Sequence, residues 1–201
     1  SMEWLGFQTS QVEFIATSMS TWAPKINMII TSIAMGMTIS LIPSIVSAFT
    51  LKKWDEVNHK TNASLKMIIF ISLPMAIGLS FLSQAVWSVF YGANRVGGII
   101  LGLSVFMAVA LNLYMISSSI LQSLNKFKIV YISAIAGFVC NALLDVPLIF
   151  LFNYIGIPSY LGAILASILG YLLSTFIALS NIKRENKEIN YQETWNFLGQ
   201  M

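Results

Sequence analysis

The charged residues of this chain of 201 residues fall into a few short clusters, and the runs between them fit a lipid bilayer better than a soluble core. No charge occurs between Lys25 and Lys52, between Lys66 and Arg95, or between Arg95 and Lys126; from Lys128 to Lys183 the only one is Asp145. Each run exceeds the roughly 20 apolar residues that cross a hydrocarbon core. The last run must hold two crossings, because the Asn153–Tyr160 segment, with Gly156 and Pro158, interrupts it. The pattern predicts an all-α polytopic membrane bundle with helices at about 25–50, 64–90, 98–124, 128–152 and 160–182. Residues 1–24 read as an outer loop with a short helix. Residues 183–201 read as an interfacial amphipathic tail in which Ile189, Trp195 and Leu198 recur at near-helical spacing. Only 9% of residues are charged and 57% are apolar, a surplus that no soluble domain of this size could bury.

The basic residues alternate between sides. Lys52, Lys53, Lys60, Lys66, Lys126, Lys128, Lys183, Arg184 and Lys187 fall on one face of the five-helix scheme, and Lys25 and Arg95 on the other. The positive-inside rule then places the 51–63 and 125–128 loops and the C-terminus in the cytoplasm, with the N-terminus outside. The net charge of +3 is accounted for by topology signals and calls for no nucleic-acid partner.

Hydrolytic and covalent chemistry has no constellation here. His59 is the sole histidine and lies among charged residues, Cys140 is the sole cysteine, and no metalloprotease, nucleophile-elbow or phosphate-loop motif occurs. No cofactor is expected and an enzyme is not. The helices instead carry small or polar residues every fourth position: Ser32, Gly36, Ser40, Ser44 and Ala48 in the first, Ser72, Ala76, Ser80, Gln84 and Ser88 in the second. Ser104, Ala108 and Asn112 follow in the third, Ser133, Gly137, Asn141 and Asp145 in the fourth, and Gly162, Ala166, Gly170 and Ser174 in the fifth. Such stripes commonly serve helix packing, the reading favoured for the first and fifth helices. Gln84, Asn141 and Asp145 are larger than packing requires, and an intramembrane carboxylate is a functional candidate because its desolvation is costly. Asn141 and Asp145 share a helix face and could offer oxygens to a small cation, with Ser167 as a third ligand; Asp145 could equally pair with Lys25 or Arg95 near the outer edge. Pro43, Pro74 and Pro147 predict kinks within three spans.

The landmarks TWAPKINMIITSIAMGMTISLIPSIVSAF and LKMIIFISLPMAIGLSFLSQAVWSVFYG, followed by ISSSILQSLNKFKIVYISAIAGFVCNALLDVPLIFLFNYIGIPSYLGAILASILGY, resemble the second lobe of the polysaccharide and lipid-linked oligosaccharide flippases of the MurJ, SpoVB and Wzx type. These belong to the multidrug/oligosaccharidyl-lipid/polysaccharide superfamily. The resemblance runs over about residues 4–200 and implies most of a MATE-like half, the opposing lobe being supplied by more of the same protein or by a partner subunit. It implies alternating access in the bacterial cytoplasmic membrane and a substrate of undecaprenyl-pyrophosphate-linked saccharide. Lys25 and Arg95 would attract the pyrophosphate, Gln84 and Asn112 would line the cavity, and Asn141, Asp145 and Ser167 would sense a coupling Na+ or H+. Two further readings stand beside it: an ion-coupled small-molecule exporter of the same superfamily, and a non-transporting membrane subunit whose stripes dock a partner.

Overall fold

Where this chain turns is decided by a few residues that end helices. A computed structural model describes residues 8–185 together with 191, 194, 197 and 199. Its elements are α1 (Thr9–Thr17), a single π-helical turn over Ser18–Trp22, α2 (Ala23–Thr50), α3 (Trp54–Phe81), α4 (Ser83–Tyr91), α5 (Arg95–Ser123), α6 (Phe127–Tyr154) and α7 (Tyr160–Glu185). Five helices are long and apolar enough to cross a membrane, and the chain is a multi-pass membrane protein.

The first crossing differs from the expected one. There is no separate outer loop over the described residues before position 25: Thr9–Thr50 forms one rod of 42 residues, about 63 Å at 1.5 Å per residue, roughly twice the hydrocarbon thickness. The π turn sits just ahead of Pro24, whose ring has no N–H to offer the preceding turn. Widening the helix there lets the chain absorb the proline without stopping.

The second crossing is also corrected. The predicted 51–63 loop shrinks to Leu51–Lys53, and α3 begins ten residues before position 64, carrying His59, Lys60 and Lys66 on a helix. Asp55 and Glu56 occupy its first turn, where acidic groups complement the helix dipole, and Lys60 Nζ lies 2.7 Å from Glu56 Oε1 one turn on. Those charges mark a helix start. The same span breaks at Leu82, dividing the expected 64–90 helix into α3 and α4.

Two turns at the basic end are built alike. Lys52 (φ 57°) and Asn125 (φ 60°) both stand in the left-handed region, and the next residue's N–H reaches back across the helix end, Lys53 to Ala48 O and Lys126 to Leu121 O. Asparagine tolerates that conformation through its short polar side chain; lysine has no such help.

Helix α5 forms the centre, half of its apolar stretch being buried, against 11% for α6, which lies at the periphery on α7. Helices α2 and α5 run parallel and are joined by a ladder of polar contacts: Asn27 Nδ2 donates to Ser104 Oγ (2.9 Å), Asn112 Nδ2 to Ile30 O (3.1 Å) and Ser119 Oγ to Thr38 Oγ1 (3.4 Å). In lipid such bonds fix register where apolar burial cannot. Helix α6 meets α7 through glycines: a Cβ at Gly170 would lie 2.8 Å from Gly137 O, and one at Gly162 2.6 Å from Leu148 O. The backbones touch there. Of the tail, Ile189, Trp195 and Leu198 lie outside the described residues. Tyr191 and Thr194 fold back on the bundle, Tyr191 Oη donating to Leu179 O (3.0 Å) and Thr194 Oγ1 to Asn62 Oδ1 (2.7 Å).

Candidate functional site

A helix turns about 100° per residue, so a face that stays on one side follows alternating steps of three and four, whereas a strict step of four drifts by about 40° each time. On α2 the positions Lys25, Ser32, Gly36, Ser40, Pro43, Ser47 and Thr50 keep to one side, and all are exposed. The stripe continued to Ser44 and Ala48 winds into the bundle, where Ala48 is buried against the core. Packing therefore does not explain Ser32, Gly36 and Ser40, against the reading favoured from sequence. Beyond the backbone of its own helix and its chain neighbours, no described atom lies within 4 Å of where a Cβ on Gly36 would stand.

This face is small, polar and headed by a cation. Its hydroxyls soften their own exposure by bonding back along the helix, Ser32 Oγ to Ile29 O (2.8 Å) and Ser40 Oγ to Met37 O (3.0 Å). They keep lone pairs outward, and Lys25 forms no ion pair with any described residue. A polar strip of this length crossing the hydrocarbon belongs against water or protein, because polar groups facing lipid are costly. Along one side of it Met28, Met35, Ile39 and Val46 are exposed apolar side chains, and the exposed Ile29 interrupts the strip between Lys25 and Ser32.

The other residues singled out from sequence separate. Arg95 is exposed at the start of α5, at the same end of the bundle as Lys25. Gln84 is exposed, but its amide is engaged, Nε2 donating to Asn94 O (3.2 Å) across the α4–α5 turn. Asn112 does not line an open surface: it is fully buried between α5 and α2, its Oδ1 without a partner among the described residues. Its role is to hold helices.

Asn141 and Ser167 do meet, Nδ2 donating to Oγ at 2.9 Å across α6 and α7, while Ser167 passes its own proton to Ala163 O (3.1 Å). They border a cleft of about 300 Å³ with Tyr114, Tyr171 and Ser174. Asp145, one turn beyond Asn141, is half-buried, does not border that cleft and makes no ion pair with any described residue, so the pairing with Lys25 or Arg95 is absent. The four oxygens of these three side chains fall short of the six or so that a hard cation gathers. Among the described residues no group of three or more His, Cys, Asp or Glu could hold a metal.

Comparison with known proteins settles the lineage. Residues 15–146 match the family described as MatE. The chain belongs to the MatE family. Within this MatE protein the match takes in α2–α5 and most of α6, so the bare face of α2 and the ladder to α5 both lie in family territory. The chain is also 32% identical over 183 residues to a protein named lipid II flippase MurJ from Bacillus subtilis (strain 168). That alignment takes in 89% of this chain, which spans about a third (32%) of the relative's length. No solved structure matches.

Proposed function

We propose that this MatE chain is part of a flippase that carries an undecaprenyl-pyrophosphate-linked saccharide across the bacterial cytoplasmic membrane by alternating access. The observation that carries the reading is the uncovered face of α2. Lys25 stands at one end, where an anionic pyrophosphate would meet it, and Ser32, Gly36 and Ser40 offer a smooth hydroxyl-bearing wall past which a sugar can move. The exposed apolar flank at Met28, Met35 and Ile39 suits a polyprenyl chain alongside. The named relative supports the choice of cargo, since its name assigns it lipid II. Arg95 adds charge at the same end. An opposing lobe would close the cavity over this face. In this reading Asn141, Asp145 and Ser167 sense a coupling Na+ or H+ with further oxygens supplied by the opposing lobe, and Lys25 replaced by arginine keeps function because charge is what matters.

Outward exposure of the lipid-linked cell-wall precursor, measured in cells depleted of their own flippase and supplied with this chain together with an opposing lobe, tests this. Gly36→Trp and Lys25→Glu are expected to abolish rescue while the protein still reaches the membrane, and Lys25→Arg to retain it. Full rescue by Gly36→Trp would remove α2 from the path.

A further inference from the structure

We propose that a hollow at the basic end of the bundle holds one acyl chain of an anionic membrane phospholipid, with its phosphate headgroup against Lys183. The hollow measures about 370 Å³ and is walled by Leu65 and Ile69 of α3, Leu113 of α5, and Phe176 and Leu179 of α7. Helix α2 contributes nothing to it, so it is separate from the face assigned to substrate.

The polar side chains around the hollow turn their polar atoms away. Thr175 Oγ1 donates to Tyr171 O (2.9 Å), Tyr191 Oη to Leu179 O and Thr194 Oγ1 to Asn62 Oδ1, so what they present inward is carbon. Ser180 and Lys183 are exposed, and Lys183 lies seven residues beyond Phe176 on α7, about 11 Å along the axis. The exposed Arg184 follows it. No described Asp or Glu borders the hollow. A deep apolar slot under a cation matches an amphiphile whose tail is hydrocarbon and whose head is a phosphate. An apolar helix of another protein would leave the cation unanswered, and a free phosphate would leave the slot empty.

A basic residue near an anionic leaflet is worth about 1 kcal/mol, which converts to a preference of about fivefold for phosphatidylglycerol over phosphatidylcholine. Native mass spectrometry of the purified protein, given an equimolar mixture of the two lipids with identical acyl chains, reads this ratio directly. One phosphatidylglycerol is expected to remain at collision energies that strip all other lipid. Lys183→Gln should bring retention of the two lipids to parity, Lys183→Arg should preserve the preference, and Ser180→Trp, which fills the slot from its rim, should abolish retention. Equal retention of both lipids by the parent, no retained lipid, or an unchanged preference in Lys183→Gln would each overturn the proposal.

Discussion

Two glycines that look interchangeable in sequence should respond to alanine with opposite sign. At Gly170 the new Cβ would stand 2.8 Å from Gly137 O and 3.2 Å from Asn141 Cβ. The first obstacle is backbone, so α6 and α7 must part by about half an ångström, enough to forfeit a quarter to a half of the local dispersion energy. Overpacking of this kind costs about 1–3 kcal/mol. The Asn141–Ser167 bond, 2.9 Å and within a turn of Gly170, would stretch toward its limit and lose about 0.6 kcal/mol more. Helix propensity returns up to about 1 kcal/mol. The net is a loss of about 0.6–2.6 kcal/mol, or about 1–10 °C in melting temperature for a domain of this size. Gly36→Ala meets nothing and keeps only the propensity gain, a rise of about 2–4 °C. Thermal unfolding in detergent, followed with a thiol-reactive fluorophore at the partly buried Cys140 of α6, reports both. If Gly170→Ala melts at or above the parent temperature, the backbone contact between α6 and α7 is not what holds them together.

Three other outcomes follow from particular residues. Lys52→Gly should raise stability by up to about 1 kcal/mol in the same melt, because it relieves a side chain from the left-handed region. Asn112→Leu should fold as well as the parent or up to about 2 kcal/mol better, losing one modest bond while removing a buried oxygen with no partner among the described residues. Burial lifts the Tyr191 phenol above its ordinary pKa of 10.0, so the folded state keeps a proton the unfolded chain gives up. The stability that Tyr191 contributes is then constant below pH 10 and falls as pH rises beyond it; Tyr191→Phe should flatten that alkaline decline in a melting-temperature series.

Much of the architecture was legible because lipid forbids charges, so the spacing of lysines and arginines outlines the helices directly. The two errors of extent share a cause. The stretch that holds Asp55, Glu56 and Lys60 reads as a loop because it is charged, yet a helix of 28 residues outreaches the hydrocarbon and can carry charge on its projecting turns. Residues 9–24 offered no apolar block, and nothing in their composition announced that a π turn would carry the helix past Pro24. The site was less legible. A glycine or serine every fourth residue looks the same whether it meets a neighbouring backbone, as at Gly170, or open space, as at Gly36, and only the third dimension separates them. Asn112 misled for the opposite reason: a large amide suggested a wet cavity, and it proved to be a peg between two helices. The clue that was available was the continuity of Lys25, Ser32, Gly36, Ser40 and Ser47 along steps of three and four, a truer line down a helix than steps of four alone.

The ladder from Asn27 to Ser119 ties α2 to α5 at three heights, over residues 27–38 of α2 and 104–119 of α5. Parallel helices pinned at several heights cannot slide past one another without breaking all the pins together. They should therefore tilt as one beam. Any rigid-body tilt of α2 must swing α5 with it, while α6, seamed backbone to backbone onto α7 and barely touching α5, must go where α7 goes.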